Sequence, residues 1–384
     1  MTLGSAPEVR RIPSPSSTPP QPRSSLLTNL ALGGFSLLAT LAALEIGVRA
    51  LVDFQQQQPL GVYDVDHANR GLSFLPGRSR HYQSSEFSFD ARYNAFGRRD
   101  VEWPPEVVAD PHSVLFIGDS FAYGIGVDHE QTLPSRLEAR FAEAGRAAEV
   151  MNFGMPGNGA PPGYAILLDD AIARGFAART VVVSVFVGND FYPSVLTQHA
   201  PKPAAPPPGA TEGSGSWLAH WRSFQLLKLR VSQSARLVGW SLTLGRLLGV
   251  SLYDSAGTYV FLREQTPEQE ALFREILGHI GHMKQRCDET GRRMFAVIIP
   301  NRIQVENQDA LSGGVYDAAR PHRDMLRYCE ELRIPCLDLL PVLTDAYQQG
   351  GEPLFFPVDR HPNPRGYRLI GDTIASFLLA EDTP

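Results

Sequence analysis

The sequence predicts an α/β fold, a parallel sheet doubly wound by helices, and three observations carry that expectation. Short apolar runs bounded by glycine or polar turns recur at 114–117, 180–187 and 295–299, and such runs read as strands buried on both faces. Between them lie stripes of helical period, such as Leu133, Leu137 and Phe141. Strand and helix alternate, which implies right-handed parallel crossovers.

The chain has 384 residues, 43% hydrophobic and 20% charged, the composition of a globular protein with room for one large domain or two ordinary ones. A net charge of -6 and the lack of a Lys and Arg stripe argue against a nucleic-acid partner. Cys287, Cys329 and Cys336 form neither a disulfide framework nor a spaced zinc site. A Cys329–Cys336 bridge in an exported domain and buried free thiols both stay open.

Residues 1–25, rich in Pro and Ser and carrying Arg10, Arg11 and Arg23, read as a disordered tail. Residues 26–52 are expected to form a transmembrane helix, because 26–44 contain no charge and such a run is about long enough to span a bilayer. A cleaved signal peptide and a buried helix are the competing readings. The long preceding tail and the missing small-residue cleavage site before Glu45 favour a single-pass anchor. Arginines before the run and Asp53, Asp64 and Asp66 after it place the N-terminus in the cytoplasm and the rest on the periplasmic or extracellular side.

Residues 53–110 alternate aromatic and polar positions at Phe87, Phe89 and Tyr93, which predicts short antiparallel strands packed on the main domain. That domain is expected over 111–384. After the first strand and the Leu133 stripe come a strand at 148–153 ending in Asn152-Phe-Gly154, a helix at 164–174, and the strand ending at Gly188-Asn189-Asp190. A Pro-rich and helical insertion follows at 197–265, amphipathic from 217 to 248 and read as a lid or ordinary packing more than a membrane-surface contact. The α/β pattern resumes with the capping signal Thr266-Pro-Glu-Gln269. Leu272, Phe273, Ile276, Leu277, Ile280 and Met283 share the buried face of that helix, and His279 and His282 lie on a solvated face, not in a metal site. A strand at 295–299, a helix at 316–333, a strand at 335–339 and a helix at 364–379 complete the domain.

Ser120, Gly154, Asn189 and the Asp359/His361 pair each fall just after a strand or just before a helix. A doubly wound sheet gathers such loops at its carboxyl edge. A serine hydroxyl needs a base, histidine is suited to that role near neutrality, and a carboxylate fixes the imidazole. The amides of Ser120 and Gly154 and the side chain of Asn189 are the expected oxyanion donors. Each residue also has a plain reading: Asp119 and Ser120 as helix caps, Gly154 and Asn189 as turn residues, His361 as a helix entry. Gly124-Ile-Gly126 lacks the third glycine and the Lys-Ser/Thr of a phosphate loop.

The ordered set resembles the SGNH, or GDSL-like, hydrolase superfamily over roughly residues 110–382. Gly118-Asp-Ser120 matches its first block, Asn152-Phe-Gly154 the second, Gly188-Asn189-Asp190 the third and 359–363 the fifth. The resemblance implies a three-layer, flavodoxin-like α/β/α sandwich with about five parallel strands, a Ser120, His361, Asp359 triad, and no cofactor or metal. The family usually has two residues between Asp and His, whereas here only Arg360 intervenes. That spacing also occurs in membrane-linked members resembling the alginate O-acetyltransferase group; Asp338 or a backbone carbonyl is the alternative partner for His361.

Together the blocks and the anchor point to a membrane-anchored serine esterase or O-acyltransferase for acyl, chiefly acetyl, esters of a surface glycan or lipid-linked sugar. The alternatives are a catalytically weak binding or assembly protein of an envelope polysaccharide system, and a lipase at the membrane surface. The sequence leaves the oligomeric state open.

Overall fold

The computed structural model describes residues 24–51, 66, 72–157, 160–191, 223, 259–311, 314 and 316–381. The tail before residue 24 and nearly all of the 197–258 stretch, including the Pro-rich linker and the amphipathic segment, lie outside the described residues. The chain divides into two units, residues 1–54 with 214–226, and residues 55–213 with 227–384.

In the first unit, helix α1 spans Ser24–Leu51. Its Thr28–Gly47 stretch has a mean hydropathy of 1.7 and buries none of its length, and it is long and apolar enough to cross a membrane. The carboxylate of Glu45 accepts hydrogen bonds from the Ser223 amide and hydroxyl at 2.8 and 2.6 Å.

The second unit is built on five parallel strands: β3 (Val114–Gly118), β4 (Val150–Gly154), β5 (Thr180–Phe186), β6 (Arg293–Ile299) and β7 (Cys336–Asp338), in the order β4-β3-β5-β6-β7. Successive strand residues point to opposite faces. Leu115, Ile117, Val181, Val183, Ala296 and Ile298 enter one core, and Val114, Phe116, Val182, Phe295 and Val297 the other. Both faces are therefore covered, which is why β3, β5 and β6 are apolar at most positions, with Ser184 a buried exception in β5.

On the first face lie α5 (Pro161–Ala173), α6 (Pro267–Glu289) and α8 (Arg320–Glu331). On the second lie α4 (Leu133–Glu143), α9 (Leu340–Gly350) and α10 (Pro364–Glu381). The fold is thus the expected three-layer α/β/α sandwich. Thr266 and Gln269 form the capping box of α6 as their spacing predicts.

The sequence reading passes over α9 and the short α7 (Arg302–Glu306). Leu343 of α9 is buried and Leu340, Ala346 and Tyr347 pack partly buried beside it, a stripe at helical spacing that the sequence reading passed over. Cys287, Cys329 and Cys336 are free thiols.

Before the sheet, β1 (Ser79–Gln83) and β2 (Ser88–Arg92) pair antiparallel with Tyr82 opposite Phe89. Phe74, Tyr82, Phe89, Tyr93 and Trp103 enter the same core as Leu115 and Ile117. Tyr93 hydroxyl bonds join the hydroxyls of Tyr82 and Tyr123 at 3.1 and 3.0 Å, which ties this region to the turn after β3.

Candidate active site

Strand β3, which lies between β4 and β5, delivers its chain through Gly118 and Asp119 into the four-residue helix α3, Ser120–Tyr123. A Cβ on Gly118 would lie 2.1 Å from Ser184 Oγ and 2.9 Å from Ala122 Cβ, so only glycine fits this passage between strand and helix. Asp119 caps α3 by accepting from the Phe121 amide at 2.9 Å. Capping therefore falls to Asp119, and Ser120 is left half-buried at the carboxyl edge of the sheet. Ser120 opens its helix, so its amide has no carbonyl partner within that helix.

The turn after α3 rests on Arg99, which is buried to 1% exposure. Its guanidinium donates to the carbonyls of Tyr123 at 3.1 Å, Gly124 at 2.5 Å and Val127 at 2.7 Å, and packs over the Phe89 ring. Four carbonyls, counting Asp90 at 3.0 Å, offset the cost of burying this cation, whose Nε has no partner among the described residues.

The histidine reaches Ser120 from the loop before α10. His361 Nε2 lies 2.7 Å from Ser120 Oγ, and Asp359 Oδ1 lies 2.5 Å from His361 Nδ1. A carboxylate on Nδ1 favours the tautomer that leaves Nε2 as the acceptor for the hydroxyl proton. The ring sits 5.1 Å from that of Phe121, and His361 and Asp359 are each 20% exposed. Arg360, between them, has φ of 75°, in the left-handed region that non-glycine residues rarely adopt. That turn lets two side chains separated by one residue meet. Asp338 is engaged elsewhere, on buried His322 at 2.6 Å, and does not orient His361.

Asn189 sits at the end of β5, in a turn held by Asp190. The Asp190 carboxylate accepts from the Phe186 amide at 2.9 Å and from the Tyr164 hydroxyl at 2.9 and 3.1 Å. Asn189 turns its side-chain amide toward the Asp119 carboxylate, and its Oδ1 is buried with no partner among the described residues. A primary amide carries two N–H donors, so one remains for a ligand. Burial pushes the Asp119 carboxyl up to about 6, and hydrogen bonding from the Phe121 amide opposes that rise. Burial and the neighbouring Asp119 charge push Asp190 well above the usual carboxylate range.

Gly154 is not placed as an oxyanion donor. Its amide donates to Asn152 Oδ1 at 2.9 Å. Its lack of a side chain serves packing instead, since a Cβ there would lie 2.1 Å from the Tyr123 amide nitrogen. Asn two residues before a turn commonly captures a backbone amide, the signal that the sequence reading passed over. Farther along the same turn, Gly157 is exposed, with φ of 78° and nothing within 4 Å of where a Cβ would sit.

Sequence reasoning also missed Arg99 and Glu86, which lie in the segment before the sheet. Nothing in their spacing relative to Ser120 or His361 marks them, because their contacts are long-range. Among the described residues, no group of three or more His, Cys, Asp or Glu is arranged to hold a metal ion. The arrangement can do acyl transfer: an alcohol against an imidazole, a carboxylate behind it, and an amide donor from a neighbouring loop.

Residues 116–369 match the GDSL-like lipase/acylhydrolase family. No curated protein matches the chain. Among solved structures, it is similar to a putative lipolytic protein of the G-D-S-L family from Desulfitobacterium hafniense DCB-2, with 16% identity, 69% of this chain and 99% of that one covered, and a TM-score of 0.39. It is also similar to the psychrotrophic esterase EstA from Pseudoalteromonas sp., with 10% identity, 70% and 98% covered, and a TM-score of 0.39.

Proposed function

The chain belongs to the GDSL-like lipase/acylhydrolase family, and on that premise we propose that it is a membrane-anchored esterase or O-acyltransferase of acyl, chiefly acetyl, esters on a surface glycan or lipid-linked sugar. The observation that carries the serine mechanism is the 2.7 Å contact of His361 Nε2 with Ser120 Oγ, backed by Asp359. Ser120 Oγ attacks the acyl carbonyl while its proton passes to His361 Nε2. Asp359 stabilises the imidazolium, and the oxyanion takes the Ser120 amide and the Asn189 side chain as donors. Gly157, exposed on the turn after β4, replaces Gly154 as the candidate for a third donor. Collapse returns the proton to the leaving alcohol and leaves an acyl-serine, which water or a sugar hydroxyl resolves.

The anchor reading is supported by the length and apolarity of α1, and its orientation by the arginines that precede it and the aspartates that follow. The acetyl and glycan reading is supported by the Asp359-Arg-His361 spacing shared with membrane-linked members of the family. Full-length protein in detergent tests it, with p-nitrophenyl acetate and p-nitrophenyl palmitate as paired donors and an oligosaccharide as acceptor. The expected result is acetyl release that disappears in Ser120→Ala, with acetyl appearing on the acceptor. A strong preference for palmitate overturns the acetyl reading, and undiminished turnover by Ser120→Ala overturns the serine mechanism.

A further inference from the structure

We propose that Glu86, on the turn of the β1-β2 hairpin, is a positioning residue for the loop that carries Asp359 and His361. This rests on the Ser120, His361, Asp359 reading above. Glu86 Oε1 accepts from the Val358 amide at 2.9 Å, and Glu86 Oε2 accepts from the same amide at 3.1 Å and from the Asp359 amide at 2.7 Å. One carboxylate thus binds two consecutive amides, one of them belonging to the residue that orients the imidazole.

The loop needs such an outside hold. Its own bonds are few: the Phe356 amide to the His361 carbonyl at 2.8 Å, the Arg360 amide to the Phe356 carbonyl at 3.0 Å, and the His361 amide to Asp359 Oδ1 at 3.3 Å. Against them stands Arg360 in the left-handed region, a conformation that a residue with a Cβ disfavours and that persists only where surroundings impose it. The Val358 and Asp359 amides need acceptors that the loop does not supply. A carboxylate is the strongest acceptor for a pair of amides.

Glu86 is itself fixed. Ser84 Oγ accepts from the Glu86 and Phe87 amides at 3.1 Å each, and the Ser84 amide donates to the Phe87 carbonyl at 2.9 Å, closing the turn. Beside the carboxylate, the Phe87 ring lies 4.9 Å from that of Phe356. The hairpin tip therefore meets the loop with a ring and a charge together. Because both oxygens accept, Gln at this position would set its own N–H₂ group against a backbone N–H. Displacing the Asp359 backbone moves the carboxylate that holds His361 Nδ1, and misplacement of about 1 Å can cost about 10²-fold in rate.

The test compares kcat and KM for p-nitrophenyl acetate in the full-length wild type, Glu86→Gln, Asp359→Asn and the double variant, with circular dichroism as the control for folding. Glu86→Gln should lower kcat by roughly 10-fold to 10²-fold and leave KM within about twofold. In the Asp359→Asn background the same change should cost less than about twofold, because its effect runs through that carboxylate. Ser84→Ala, which loosens the turn but keeps the carboxylate, should give the same split at smaller size. Wild-type kcat in Glu86→Gln, a loss confined to KM, or an equal loss in the Asp359→Asn background overturns the proposal. Wild-type activity in Asp359→Asn alone overturns the underlying reading of the triad, and this proposal with it.

Discussion

The turn that carries Ser120 and the loop that carries His361 meet at one point but are built differently. The first follows β3, a strand paired on both sides within the sheet; Gly118 is pressed on Ser184, Asp119 caps the helix, and Arg99 holds the carbonyls at its exit. The second has few internal bonds, a residue at φ of 75°, and a carboxylate from a hairpin 272 residues earlier in the chain. The nucleophile is placed by strand geometry, whereas the acid–base pair is placed by a long-range clamp. Changes near Ser120 should therefore act on local chemistry or stability, and changes in the loop or its clamp should act on how the imidazole is held.

The largest expected effect lies in the loop. Asp359→Asn should keep the fold and lower kcat by about 10⁴-fold, the usual result of losing the carboxylate that fixes the imidazole tautomer. Steady-state hydrolysis of an acetyl ester measures it, and a loss of only a few-fold would remove the asymmetry between the two regions. On the nucleophile side, Asn189→Ala should lower kcat by roughly 10²- to 10³-fold, the range for one oxyanion donor. A change in KM alone would mean that Asn189 holds substrate and transition state equally and is not an oxyanion donor.

The smallest effect concerns stability. Burial raises the Asp119 carboxyl from 3.8 to about 6, so the unfolded chain releases its proton at lower pH than the folded protein does. The stability this group contributes is full below its unfolded value and is lost as pH rises through about 6. Asp119→Asn should remove that slope. Relative to wild type, the Tm of Asp119→Asn should rise as pH goes from about 4 to about 6 and level off above it, as followed by thermal unfolding. A variant Tm that stays level or falls relative to wild type over the same range would contradict the burial of this carboxyl.

The same contrast decides what the sequence discloses. Strands β3, β5 and β6 and most of the helices over them are legible because burial on both faces writes apolar runs and four-residue stripes into the chain. Gly118, Ser120 and Asn189 are legible because Gly118 ends β3 and the other two lie within three residues of a strand's end. Gly154 misleads because its amide is taken by Asn152, a contact between two residues that had been read together as one block. Arg360 is hidden because arginine carries no turn signal, although its left-handed conformation is what lets Asp359 reach His361 across a single residue. Glu86 and Arg99 are hidden for a different reason: their partners are carbonyls and amides far along the chain, and backbone groups leave no pattern of residue types to read.

The central claim, that an imidazole from the last loop activates the serine of the first, is tested most directly by labelling full-length protein with a fluorophosphonate and mapping the adduct. The account predicts one equivalent per chain, on Ser120, formed at least about 10³-fold more slowly in His361→Ala. Labelling at another residue, or at an unchanged rate without the imidazole, would contradict it.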